Sequence, residues 1–110
     1  MSYNIFPTRQ FEKELKRLIK KFPSLKSEYS ELINNLHNKP QTGTPIGNNC
    51  YKIRIAIASK GKGKRGGARV ITHLYIENEA IYLLTIFDKS EKENLNPKEL
   101  KDIIESLDLE

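Results

Sequence analysis

Five cations crowd into ten positions of this chain, Lys60, Lys62, Lys64, Arg65 and Arg69, interleaved with Gly61, Gly63, Gly66 and Gly67. Glycine lets a backbone approach a phosphate closely, and lysine and arginine supply charge-assisted hydrogen bonds to it. Formally Gly61, Gly63 and Gly66 match the spacing of a dinucleotide-binding loop. The loop joins two strand-like segments, however, and no helix follows to present its N-terminus to a pyrophosphate. Both that reading and a Walker-type phosphate loop are therefore rejected.

Just upstream, Tyr51, Ile53, Ile55 and Ile57 alternate with Lys52, Arg54, Ala56 and Ala58. This is the pattern of a strand with one apolar face and one basic face. If that strand pairs with the one opened by Arg69, then Lys52, Arg54 and Arg69 share a face at the base of the loop. Like charges side by side destabilise a sheet, so such a cluster is accounted for by a bound anion.

The other candidates for chemistry are few. His37 stands at the expected end of a helix, where a cation complements the dipole. His73, four residues beyond Arg69 on the same face, is read as a sheet histidine with its hydrogen bonds met, with an acid or base, or a further contact to an RNA ligand, as the alternatives. Cys50 is a small hydrophobe at a strand start, and as the single cysteine it can form no internal disulfide. A reducing cytoplasm is the expected location. No His, Cys, Asp and Glu grouping has metal spacing, no activated serine or cysteine motif is present, and no metal or other cofactor is expected.

The elements that must position these residues are legible from periodicity. Phe11, Leu15, Leu18, Ile19 and Phe22 fall on one helical face, with Thr8 as N-cap. Pro23 stops that helix and suits the first turn of a second, striped by Leu25, Tyr29, Leu32, Ile33 and Leu36. The stretch 38–49 is rich in Gly, Pro, Asn and Thr and reads as a connecting loop. Strands follow at 51–58, at 68–76 and at 80–87, the last apolar on both faces as in a strand covered on both sides. Asn96, Pro97 and Glu99 spell a capped helix start, with Leu95 and Leu100 as a hydrophobic staple. The expected fold is α+β: two N-terminal helices, a small antiparallel meander with the helices on its apolar face, and a closing C-terminal helix.

At 110 residues this is expected to be one domain, 1–110, with one modest core. The formal net charge is +5, and between Glu31 and Glu77 no acidic residue interrupts eight cations, whereas ten of the fourteen acids lie from Glu77 onward. Such segregation steers a polyanion toward one surface. The N-terminal residues lack the apolar run of a signal peptide, and no stretch approaches a membrane span, so no membrane partner is expected.

Taken in order, YKIR, KGKGKRGGAR and YLLTIFDKSEKENL, together with the flanking helices, resemble the RelE/HigB branch of the RelE/ParE superfamily of type II toxins. The resemblance covers nearly the whole chain and implies the RelE-like microbial RNase fold. It also implies an activity: metal-independent cleavage of mRNA on the ribosome, in which a ribose 2′-hydroxyl attacks the adjacent phosphate. By position, Lys52, Arg54, Arg69 and Lys89 match the family's catalytic cations. Arg69 would stabilise the transition state, Lys52 or Arg54 would lie near the attacking hydroxyl, and Lys89 near the scissile phosphate.

Lys60, Lys62, Lys64 and Arg65, in a loop typical of the HigB-like branch, would grip RNA backbone. The C-terminal tyrosine that some members stack on a base has no counterpart, since Leu95 and Asn96 occupy its place, and Phe87 or Tyr75 is expected to take over stacking. The resemblance implies as partners the ribosome, mRNA and a cognate antitoxin of helix-turn-helix, HigA-like type. Two alternatives stay open at this point: a ParE-like inhibitor of DNA gyrase, and an RNA- or ribosome-binding protein without catalysis.

Overall fold

The computed structural model describes residues 3–61 and 66–107. A five-stranded sheet runs in the order β1-β5-β4-β3-β2, with β1 Asn4–Pro7, β2 Thr44–Gly47, β3 Cys50–Ile55, β4 Ala68–Tyr75 and β5 Ala80–Asp88. Helices α1 Arg9–Lys21 and α2 Leu25–Asn38 lie between β1 and β2, and α3 Pro97–Glu105 closes the chain.

The expected meander is present as β3, β4 and β5, paired antiparallel in chain order. Two strands were not expected. β1 pairs parallel to β5 at one edge, where Pro7, lacking an N–H, is tolerated. β2 lies within the segment read as a loop and forms a hairpin with β3 through Asn48 and Asn49, both at positive φ. Two residues in that conformation match the right-handed twist of the flanking strands, and Asn tolerates it. The sheet is therefore mixed rather than a plain antiparallel meander. β3 also ends at Ile55, short of 58, because Ala58–Lys60 turns into a short 3₁₀ segment.

The helices divide between the two faces, which corrects the expectation that all pack on one. Phe11 and Leu18 of α1, with Leu25, Leu32 and Leu36 of α2, bury against Ile53, Ile55, Val70, Ile81, Leu83 and Ile86. On the opposite face, Leu100 with Ile103 and Ile104 of α3 packs over Cys50, Ile71, Leu84 and Phe87. Thr8 caps α1 as expected: its hydroxyl accepts from the Phe11 N–H at 3.1 Å and donates to the Leu84 carbonyl at 3.2 Å. The Asn96–Glu99 capping box of α3 is formed in both directions.

One irregularity controls what the far end of β5 presents. The β4–β5 register slips between Ile71 and Thr72, so that Thr85 and Leu83 are partners of consecutive residues and Leu84 is extra. At this bulge Glu14 of α1 accepts from the Thr85 hydroxyl at 2.7 Å and the Ile86 N–H at 3.3 Å. A bulge inverts the facing of all later residues on its strand. Here it sends Phe87 to the α3 face rather than the α1 face.

The cationic cleft

On the α3 face, beyond the helix, Lys52, Arg54, Arg69 and Lys89 line one cleft of about 430 Å³ together with Glu93 and Asn94. Three elements build it. β3 places Lys52 and Arg54 two residues apart, on the same side. Directly across from Arg54 stands Arg69 on β4. Lys89 follows the last residue of β5, and its N–H donates to the Gly67 carbonyl at 3.0 Å, which ties the end of β5 to the start of β4.

Arg69 is only 4% exposed, and its Nη1 donates to the Ala68 carbonyl at 3.1 Å. Burial, and then the nearby Arg54 cation, hold its guanidinium below the ordinary arginine range. Both effects penalise charge in the folded protein, and an anion in the cleft reverses the second. Lys89 is more open, at 29%, and its ammonium donates to the Glu93 side chain and carbonyl, each at 3.4 Å.

Gly67 serves a purpose other than approach to phosphate. A Cβ at this position would meet the Ile55 carbonyl oxygen at 1.9 Å, so the chain crosses β3 there with no room for a side chain. That crossing brings β4, and with it Arg69, back beside Arg54.

Lys60 differs from its assignment as a backbone-gripping cation. Its side chain is 7% exposed, and the ammonium pairs with the buried Asp88 carboxylate, donates to Ser90 Oγ at 2.8 Å and sits 5.3 Å from the centroid of the Phe22 ring. Asp88 also accepts from the Ser90 N–H and hydroxyl. Burial alone would raise the Asp88 pKa, but these hydrogen bonds outweigh it and hold the carboxyl below its usual value. Lys60 thus anchors the loop inward because the apolar and acidic surroundings at the end of β5 accept it. Lys62, Lys64 and Arg65 lie outside the described residues.

Two further residues expected to contact RNA, Phe87 and His73, do not open into the cleft. Phe87 stands opposite Arg69 in register but is 7% exposed, packed in the α3 core beneath the Lys92 ammonium at 5.9 Å. Little of its ring is left for a base. His73 lies beside Cys50, with Nδ1 3.4 Å from Sγ, and does not line the cleft. Burial shifts the His73 pKa down, against a hydrogen bond with the Asn48 backbone. Cys50 is buried, as expected of a small hydrophobe, and burial pushes its thiol up to about 11. Among the described residues, no three His, Cys, Asp or Glu side chains group as metal ligands.

The run DKSEKEN holds the cleft's rim. Besides the Asp88 and Lys89 contacts, Glu91 accepts from Arg17 of α1 at 2.7 Å, and Lys92 pairs with Glu99 of α3. Sequence reasoning missed Glu93 and Asn94 as lining residues. The available signal was the spacing of Lys89 and Glu93, four apart just after a strand.

Fold and cleft together define a small basic α+β protein with one cationic site. The family model described as the RelE toxin of the RelE / RelB toxin-antitoxin system matches residues 3–106, and the chain belongs to that family. Solved structures share the fold at low identity. A free-state Escherichia coli toxin RelE carrying two arginine-to-alanine substitutions aligns with a TM-score of 0.65 and 14% identity, covering 97% of this chain and 99% of that one. The RelBE2 toxin-antitoxin complex of Mycobacterium tuberculosis aligns at 0.58 and 16%, covering 80% and 99%. A metal-bound toxin from Helicobacter pylori aligns at 0.53 and 18%, covering 84% and 99%. Among the described residues, no helix is long and apolar enough to cross a membrane.

Proposed function

We propose that this member of the RelE toxin family is a metal-independent endoribonuclease that cleaves mRNA on the ribosome and so arrests translation. The reading treats 1–110 as one catalytic domain acting in the cytoplasm. The observation that carries it is the convergence of Lys52, Arg54, Arg69 and Lys89 on one cleft.

In this reaction the ribose 2′-oxygen attacks the adjacent phosphorus and the 5′-oxygen leaves, giving a 2′,3′-cyclic phosphate and a 5′-hydroxyl. Charge builds on the phosphorane oxygens, and preorganised cations stabilise it best where water is excluded. Arg69, buried and fixed by its Ala68 contact, suits that task. Lys52 or Arg54 lies near the attacking hydroxyl, and Lys89, at the rim of the cleft, near the scissile phosphate. Lys62, Lys64 and Arg65 of the same lysine-rich segment are proposed to bind RNA backbone.

A toxin of this kind requires a partner that restrains it. The mycobacterial relative is a toxin-antitoxin complex, and a cognate antitoxin of helix-turn-helix, HigA-like type is the partner proposed here. Brief expression in bacteria, with mRNA 5′ ends mapped across the transcriptome beside an Arg69→Ala control, tests the reading. Cuts in codon register, confined to translated regions and absent in the control, are expected. Growth arrest with intact mRNA and halted replication would point to gyrase instead, and ribosome binding without cut ends to a non-catalytic protein.

A further inference from the structure

General-base help for the 2′-hydroxyl needs a group with a lone pair able to take its proton. Protonated lysine and arginine are donors only. All four cations of the cleft are therefore suited to stabilising charge, and none in its charged form accepts a proton. Of the two other lining residues, Asn94 offers an amide, a hydrogen-bond acceptor but a very weak base, and Glu93 offers a carboxylate. Glu93 is the one lining side chain of the cleft, among the described residues, that combines a negative charge with an accepting oxygen.

Its placement agrees with that role. Lys89 donates to both its side chain and its backbone carbonyl, which holds the residue against the cationic wall. The carboxylate side chain is otherwise 89% exposed, so an incoming ribose meets it without any rearrangement of the core. Among the described residues, Glu93 pairs only with Lys89 of the cleft, whereas the neighbouring acids Asp88, Glu91 and Glu99 are each engaged by a cation outside the cleft.

Resting on the nuclease reading above, we infer that Glu93 is a catalytic residue, the proton acceptor for the attacking 2′-hydroxyl. The O2′–H bond breaks toward a Glu93 oxygen while the O2′–phosphorus bond forms. The phosphorus–O5′ bond then breaks, and the leaving oxygen is protonated from water. Glu93 returns its proton to water, so protons balance over the cycle. Lys89 keeps the carboxylate within the cleft, and Lys52 or Arg54 favours the developing 2′-oxyanion.

The test is single-turnover cleavage of a defined mRNA on programmed ribosomes by wild type, Glu93→Gln, Glu93→Asp and, as a control for lost negative charge, Glu77→Gln on the exposed 3₁₀ turn after β4. General acid-base groups contribute about 10²–10⁴-fold. Glu93→Gln is expected to slow the cleavage step by about 100-fold or more, with ribosome affinity unchanged or tighter, while Glu93→Asp keeps part of the rate and Glu77→Gln keeps all of it. On an RNA whose scissile 5′-oxygen is replaced by sulfur, a leaving group that needs no proton, Glu93→Gln stays slow. A Glu93→Gln rate within tenfold of wild type, or rescue by the 5′-sulfur, overturns the inference and leaves the nuclease reading standing. Failure of wild type itself to cut removes both. Glu93 is exposed and its substitution leaves the core untouched, which matching thermal melts establish directly.

Discussion

Arg54 and Arg69 stand directly opposite each other on β3 and β4, two guanidinium side chains on one face of a sheet, with Arg69 almost fully buried. A cross-strand pair of like charges costs stability, and the lowered Arg69 pKa, from burial first and Arg54 second, expresses the same cost. The pair is the arrangement expected of a site that binds an anion.

A polyanion that fills the cleft should therefore raise the melting temperature, because a ligand that binds only the folded state stabilises it by mass action. Inorganic pyrophosphate titrated into wild type is expected to shift the melt upward. Arg54→Ala should melt no lower than wild type without the anion and gain less from it. An Arg54→Ala protein that is less stable without ligand would show that the pair is structural instead.

Loss of Arg69 should remove toxicity while sparing the fold's overall architecture. Removal of one preorganised transition-state donor typically costs about 10²–10³ in rate. Induction of Arg69→Ala, and of the Arg69→Ala, Lys89→Ala double variant, is expected to leave growth unchecked at expression levels where wild type arrests it. Arrest as strong as wild type by the double variant would contradict the assigned roles.

The Lys60–Asp88 pair should show in acid. The folded Asp88 carboxyl lies below the ordinary value of 3.8, so its contribution is complete above that value and disappears as pH falls through the folded pKa. Stability followed by denaturant melts should decline as pH falls below the ordinary carboxylate value, and the Asp88→Asn variant should lose this component of the slope. At neutral pH, Asp88→Asn strands the buried Lys60 ammonium. Breaking a buried pair from one side costs about 3–5 kcal/mol, and a drop of under 1 kcal/mol would mean that the pair is solvated.

Gly67→Ala should be disruptive far beyond a normal glycine substitution. Its Cβ would overlap the Ile55 carbonyl, forcing β3 and β4 apart at the point where Arg54 meets Arg69. Both the melting temperature and growth arrest are expected to fall, whereas a wild-type melt would show that the crossing can shift at little cost.

Phe87→Ala separates packing from stacking. With its ring in the α3 core, truncation should cost about 3–5 kcal/mol as for a buried aromatic, read by chemical denaturation. Phe87→Leu should recover most of that stability and retain cleavage. A normal melt for Phe87→Ala with weakened RNA binding would restore the stacking role.

Much of the molecule was legible in order along the chain. The stripes of α1 and α2, the Thr8 cap and the Asn96–Glu99 box depend on residues three or four apart, and local hydrogen bonds satisfy them without help from elsewhere. The grouping of Lys52, Arg54 and Arg69 followed from strand alternation plus one assumed pairing, which β3 and β4 make. The Asn48–Asn49 turn carried a hairpin signal within a segment too rich in loop residues for β2 to stand out.

Alternation and capping repeat over a few residues, so the amino-acid order alone established the helices, the three long strands and the basic face. Only tertiary packing decided which side of the sheet α3 covers, that β1 pairs parallel to β5, and that a Glu14-supported bulge turns Phe87 toward α3. The same holds for Lys60, which composition assigns to solvent and a buried carboxylate twenty-eight residues away draws inward. Those outcomes depend on contacts between distant segments, where burial and ion pairing act between residues that no local spacing relates.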